Sequence, residues 1–372
     1  MTAWDAPAAR TIGPAAPPAE SAAFNPNVIP HEGQRPEMRD PGGDGTPADA
    51  APGSRVSALR ASPGMTTGEA PIPAAALVFP ALPSADAPVD DLFTPFELAG
   101  PDRPVTPLVF ASPHSGRIYP APMMIASRLT ADSIRRSEDV WVDQLIAGAA
   151  PLGARLINAR LARVYLDVNR EPWELDPAMF SDELPPYARG RSPRVAAGLG
   201  AIARIVAEGE EVYARKLTFA EARHRVEAVH APYHAALKAL TAEALAAHGI
   251  AVLLDWHSMP SAATRHAAGG ACDVVLGDRF GGASSPAIAR AVERGLSSLG
   301  YRVVRNTPYA GGYTTEHYGR PAKGVHALQI EVNRALYVDE ASLTPTPGFA
   351  RLKADLERLF EGLAETDWAG VV

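Results

Sequence analysis

The 372-residue chain contains one cysteine, Cys272, so no intramolecular disulfide framework can form and a reducing compartment is expected. Its neighbours, ACDVVLG, read as a buried strand. No apolar run approaches the roughly 18 residues needed to span a membrane, and the start MTAWDAPAAR lacks a basic stretch followed by an apolar one. A cytoplasmic protein without a membrane partner is therefore expected. Basic charge is also scarce: 35 Lys and Arg against 42 Asp and Glu give a net charge of −7, which argues against a nucleic-acid surface. Small anionic ligands stay open if a few arginines cluster. There is no G-x-S-x-G, no H-E-x-x-H, no P-loop, and no G-x-G-x-x-G after a strand, which disfavours a serine or cysteine nucleophile.

Proline, in contrast, is plentiful but uneven. The first 90 residues hold 16 of the 36 prolines, in runs such as PAAPPAE and RDPGGDGTPADAAPGS that show neither helical nor strand periodicity. Such a segment cannot bury enough apolar surface to offset its ordering entropy, so residues 1–90 are predicted to be a disordered tail. Residues 91–372 are predicted to form a single domain, long enough for a sizeable core.

Within that domain, the stretch AVLLDWHSMP at 251–260 turns from aliphatic to polar within one residue. A short apolar run after Gly249 reads as a buried strand of a largely parallel sheet. Ligands of open α/β sheets bind beyond the carboxyl ends of strands, so His257 would face a crevice, with Asp255 placed to orient a nearby imidazole. One Asp-x-His also fits a strand that merely reaches the surface.

Other strands are expected at 104–116, ending near His114, and at 154–159, 163–170, 273–278, 301–306 and 326–334. The strand at 163–170 would end in Asp167, Asn169 and Arg170, and the last in Glu331 and Arg334. One helix over 128–154, capped by Thr130, would contain Glu138 and Asp139. Residues 192–248 read as helical, stopped by Gly249 and kinked or divided by Pro232. Further helices are expected over 286–299 and 348–363, and PYAGGYTTEHYGRP reads as a glycine-bearing loop. The alternation gives an α/β fold, a three-layer αβα sandwich with a mixed, mostly parallel sheet of phosphorylase/hydrolase-like type.

His114, the Glu138-Asp139 pair, Arg170, His257 and Glu331 supply the side-chain types that zinc hydrolysis needs. Two histidines and a carboxylate suffice for a catalytic zinc, a separate carboxylate can act as base, and an arginine can hold a substrate carboxylate. His230 and His234, four apart with Pro232 between them, read as packing or supporting residues.

The segments SPHSG (112–116), SEDVWVDQL (137–145), RVYLDVNREP (163–172), LLDWHSMP (253–260), DVVLGDRFG (273–281), GGYTTEHYG (311–319) and QIEVNRALYVDE (329–340) together resemble the N-formylglutamate amidohydrolase family. The resemblance runs from about residue 105 to 360 and implies a fold like that of zinc carboxypeptidases and aspartoacylases. It implies that zinc, or another divalent metal, is held by His114, Asp139 and His257, with Glu138 the rival of Asp139. It implies Glu331 as general base and Asn169 with Arg170 as a carboxylate grip. Arg163 would be a second positive group, acting on the substrate or its carbonyl. Gly311, Gly312 and Tyr313 would close over a small anionic N-acyl amino acid. The arginines fit salt bridges at a sheet edge as well, and Arg334 fits a structural role. A deacylase or carboxypeptidase-like amidase with a larger substrate, and a non-catalytic acid-binding protein, are the competing functions.

Overall fold

The computed structural model describes residues 94–206, 209–266 and 270–372. The proline-rich tail expected over residues 1–90 lies outside them. Strands β1 (Phe96–Ala99), β2 (Leu108–Ser112), β3 (Arg155–Ala159), β4 (Ala251–Met259), β5 (Val274–Gly277), β6 (Val303–Arg305) and β7 (Val325–Asn333) form one sheet in the order β1-β3-β2-β4-β7-β5-β6. Strands β3, β2, β4 and β7 run parallel, β1 pairs antiparallel with β3 and β5 antiparallel with β7, and β6 is parallel to β5. This is the mixed, mostly parallel sheet of the expected α/β class.

Each strand presents alternate residues to opposite faces. On one face Val109, Ala111, Ile157, Ala251 and Leu253 meet Tyr233, Leu237, Leu240 and Ala244 of the helix Ala231–His248. On the other, Leu108, Phe110, Val252, Leu254, Trp256, Leu328 and Ile330 meet the helices Val142–Ile146, Pro286–Ser298 and Pro347–Ala364. The Phe360 ring wedges edge-on against Phe110 and Trp256, with centroids 5.1 and 5.5 Å away, and truncating it to alanine would cost about 3–5 kcal/mol. Among the described residues no helix is long and apolar enough to cross a membrane.

Four local expectations are revised. Residues 163–170 are not a strand but a series of turns. Val164, Leu166 and Val168 alternate as a strand would, yet all three are buried beside Tyr165, and their backbone is satisfied by other parts of the chain. The carbonyls of Tyr165, Val168 and Arg170 accept from Arg225, His234 and His230 at 3.0, 2.7 and 3.0 Å, and Asp167 N donates to the Ala201 carbonyl. Side chains from one distant helical run thus replace a sheet ladder.

The helix expected over 128–154 is broken. Ala131–Arg135 and Val142–Ile146 are helical, Trp141 between them is left-handed with φ 64°, and a short 3-10 turn follows at Ala147–Ala149. Glu138 and Asp139 therefore lie in a turn, where Asp139 N donates to the His114 carbonyl at 3.0 Å. No Gly or Pro marks this break.

Of the helical stretch expected over 192–248, residues Pro193–Ala196 and 219–248 are helical, and the described residues between them form no α-helix. A π-helical turn at Val226–His230 precedes Pro232, which has no N–H to donate and widens the turn before it. The helix stops at Gly249, whose φ of 72° is costly for any residue with a Cβ.

Finally, the expected loop at 308–321 contains a helix, Tyr313–Tyr318, with Gly312 at its N-cap. Strand β1 and the ribbon Val338–Asp339 with Thr344–Pro345 were not foreseen. Cys272 is buried just ahead of β5.

Candidate active site

Strand periodicity places the site. Leu253, Asp255 and His257 share one face of β4, in register with Ala327, Gln329 and Glu331 of the central neighbour β7. The first of each set belongs to the apolar layer, and the next two begin where that layer ends. His114 lies in the tight turn just past β2, beside β4, and the turn at Asp139 is tied to it through the His114 carbonyl.

Three buried side chains converge here. Asp139 Oδ2 lies 3.3 Å from His114 Nδ1 and 3.0 Å from His257 Nδ1, and the two Nδ1 atoms are 3.0 Å apart. The outer nitrogens face carboxylates: His114 Nε2 meets Asp167 Oδ1 at 2.7 Å and His257 Nε2 meets Asp255 Oδ2 at 3.1 Å. With a cation at the centre, an Nε2–H donated from each ring to its carboxylate would leave both Nδ1 lone pairs pointing inward. Arg334 Nη2 donates to Asp139 Oδ1 at 3.0 Å, so the other carboxylate oxygen is left facing the histidines.

The electrostatics follow from this packing. Burial opposes a charge on Asp139, but hydrogen bonds from His114 and His257 and the charge of Arg163 outweigh it and hold its carboxyl well below the usual range. Burial likewise works against charge on Asp167, where His114, Arg163 and Arg170 prevail and keep it ionised. For His257, burial is outweighed by the Asp255 carboxylate and the Asp139 hydrogen bond, which raise its pKa well above the usual value.

His114, Asp139 and His257 could hold a metal ion. Two imidazole lone pairs cannot face each other at this distance without a cation or a proton between them. Zinc bound by nitrogen and oxygen at 2.0–2.1 Å in a tetrahedron sets neighbouring donors about 3.3 Å apart, close to the three separations here. The donor set and its carboxylate-backed histidines thus fit a divalent ion. Glu138 faces elsewhere: it accepts from Tyr119 at 2.6 Å and from Arg135 at 3.0 Å.

Glu331 lies beside His257 in register and accepts from Gln329 Nε2 at 2.7 Å. Burial raises its pKa, helped by the charge on Asp139, while His257 and Arg163 pull the other way. Arg163 is committed to carboxylates, donating to Asp167 at 2.8 Å with Asp139 at 3.7 Å. Arg170 differs. Its guanidinium donates to the carbonyls of Leu199 at 3.1 Å and Asn169 at 3.0 Å and to no carboxylate among the described residues, while the Asp167 charge acts on it from further off. Burial lowers its pKa against the pull of the Asp167 and Glu174 carboxylates, with Arg163 and Arg194 adding to the shift.

Asn169, expected beside Arg170 as part of the grip, is buried next to it, and its carbonyl accepts from Arg170 Nη1. Its Oδ1 accepts from Thr314 N at 2.7 Å, and its Nδ2 donates to Asp255 at 3.2 Å and lies 3.0 Å from His257 Nε2. Gly312 packs so closely on it that a Cβ would meet the Asn169 amide at 2.7 Å. Gly312 N donates to Gln329 Oε1 at 2.6 Å, linking the 311–313 segment to Glu331 through one glutamine. The Tyr313 ring stacks on His317 and lies against His230 and His234.

The model of the family described as N-formylglutamate amidohydrolase matches residues 106–338, well over half of the chain. The chain belongs to the N-formylglutamate amidohydrolase family. An N-formylglutamate deformylase from Pseudomonas aeruginosa is 31% identical over 239 residues, covering 63% of this chain and 83% of that protein. The deformylase of Pseudomonas putida is 29% identical over 239 residues, covering 63% and 82%. The crystal structure of an N-formylglutamate amidohydrolase from Ralstonia eutropha JMP134 aligns with a TM-score of 0.71 and 37% identity, covering 75% of this chain and all of that one. These matches account for the family segments in the sequence. The pairing of Asp167 with His114 escaped sequence reasoning, since 53 residues separate them and Asp167 stood in an expected strand.

Proposed function

We propose that this chain is a zinc-dependent, or other divalent-metal-dependent, amidohydrolase that cleaves the formyl C–N bond of N-formylglutamate with one water, giving formate and glutamate. The observation that carries the reading is the buried His114-Asp139-His257 cluster with a fourth, separately held carboxylate, Glu331, in register beside His257. The names of the Pseudomonas relatives support the substrate.

His114 Nδ1, Asp139 Oδ2 and His257 Nδ1 would hold the ion. When bound, it supplies an activated water and polarises the formyl oxygen. Glu331, with its pKa raised by burial, takes a proton from the attacking water and passes it to the leaving nitrogen, as a general base and then acid. Arg163 adds fixed positive charge near Glu331, from which it stabilises negative charge developing on the substrate. Arg170 holds a substrate carboxylate through paired charge-assisted bonds, and Gly312 and Tyr313 border the bound molecule. Asn169 contributes by placing its neighbours.

The test is formate release from N-formylglutamate by the purified full chain, with metal content measured by elemental analysis. Stoichiometric metal is expected, with turnover lost to a chelator and restored by zinc. Undiminished turnover after metal removal would overturn the metal role. Faster cleavage of larger acyl groups would make the protein a deacylase, and binding without turnover would make it a binding protein.

A further inference from the structure

Two parts of the chain proposed to meet substrate, the turn at Asn169-Arg170 and the segment Gly312-Tyr313, come from regions over 140 residues apart, and one histidine is bonded to both. His234 Nε2 donates to the Val168 carbonyl at 2.7 Å, while its Nδ1 faces the Tyr318 hydroxyl at 3.0 Å. Tyr318 ends the short helix that Tyr313 begins. One turn earlier on the same helical run, His230 Nε2 donates to the Arg170 carbonyl at 3.0 Å, and the two rings lie 4.2 Å apart. The carbonyls on either side of Asn169 are therefore both gripped, and Asn169 itself accepts from Thr314 N and faces Tyr313 N at 3.4 Å. The π-helical turn Val226–His230 ends at the first of these histidines, and π turns often mark functional positions.

We infer that His234, seconded by His230, is a positioning residue that fixes the Asn169-Arg170 turn and the Gly312-Tyr313 segment against each other, so that the carboxylate anchor and the segment bordering the substrate keep one spacing. Among the described residues, the hydrogen bonds and ring contacts of His234 go to Val168, His230, Tyr233, Tyr313, His317 and Tyr318, and not to the proposed metal ligands or Glu331. Its bonds go to a carbonyl and a hydroxyl, both of which belong to the substrate-facing segments. Loss of those bonds frees the two segments without removing any group that reacts. This inference rests on the proposed use of Arg170 in substrate binding.

The test uses the full chain loaded with zinc. His234→Ala is expected to raise KM for N-formylglutamate by about tenfold, with kcat changed by less than about threefold and zinc per chain unchanged, as for a loss of uniform binding. Amide exchange at Tyr313 and Thr314 is expected to quicken while β4 and β7 stay protected. His234→Gln, which can still donate to Val168 and accept from Tyr318, is expected to restore most of both. Should His234→Ala fail to fold, Tyr318→Phe removes only the hydroxyl arm and is expected to give a smaller change in the same direction. An unchanged KM with loss confined to kcat, or unchanged exchange at Tyr313 and Thr314, would overturn the inference. If the wild-type chain does not release formate at all, the functional reading fails and the exchange result alone decides the role of His234.

Discussion

Arg334 Nη2 donates to Asp139 Oδ1 at 3.0 Å across 195 residues of chain, and the same nitrogen reaches the Glu138 carbonyl at 2.6 Å. With Arg334 Nε on Ser258 Oγ at 3.0 Å, one guanidinium joins the ends of β4 and β7 to the turn that carries Asp139. Arg334→Gln should therefore lower zinc affinity by about 10–100-fold, the usual consequence of removing a partner that orients a ligand. Competition with a chelator measures this directly. Affinity within twofold of wild type in a folded variant would leave Arg334 with a purely structural role.

Metal binding and rate should separate at two neighbours in register. His257→Ala removes an assigned ligand and should lower both zinc content and turnover. Glu331→Gln keeps a group that can accept from Gln329 and should retain zinc while kcat falls by about 10²–10⁴-fold. Elemental analysis and kinetics on the same samples check both, and loss of zinc in folded Glu331→Gln would make Glu331 a ligand.

Arg170 gives the substrate test. N-formylglutamate should be cleaved faster than the same molecule with its α-carboxylate amidated, because an amide cannot reproduce two charge-assisted bonds to a guanidinium. The expected difference is about 2–4 kcal/mol, or roughly 30-fold to 1,000-fold in kcat/KM. Arg170→Ala should shrink it. Equal kcat/KM for acid and amide with the wild-type chain would remove Arg170 as the anchor.

His234 makes stability depend on acid. Burial, with His230 and His317 near, lowers its pKa to about 3, although the Val168 carbonyl opposes the shift. The unfolded chain has the ordinary histidine value of about 6.5, so the native state holds the neutral ring. The stabilisation is complete above pH 6.5 and is lost as pH falls from there towards 3, where the unfolded chain binds the proton and the native state does not. Other ionisable side chains packed on it are Tyr233, Tyr313 and Tyr318. Thermal melts between pH 7 and 4 should show a steeper fall for the wild-type chain than for His234→Gln. Parallel slopes would show that this histidine does not titrate as its burial dictates.

The parts of the site that the sequence made legible are those carried by strands. The run 251–260 ends as expected with His257 inside the cluster and Asp255 on its imidazole, because period-2 alternation in a buried strand leaves little freedom. The turn-borne parts were less legible. Asp139 reaches the histidines through a helix break at Trp141 that no Gly or Pro announces, and residues 163–170 have a strand's pattern but a turn's backbone. That backbone is set by Arg225, His230 and His234, which lie some 60 residues further on. Local pattern cannot register hydrogen bonds arriving from that distance. The partners that hold the Asn169 amide, Asp255 and Thr314, were out of reach for the same reason, since they lie 86 and 145 residues away.

The alternation along β4 also governs how the gene tolerates change. Because Leu253, Asp255 and His257 share a face opposite Val252, Leu254 and Trp256, a one-codon insertion or deletion between positions 251 and 255 would turn the two polar residues into the packed layer around Phe360. At the same stroke an insertion would present Trp256, and a deletion Ser258, where His257 belongs. Such length variants lose the core and the ligand together, so a library of single-codon indels across β4 should contain no folded but inactive survivors, whereas point substitutions at His257 should supply them freely.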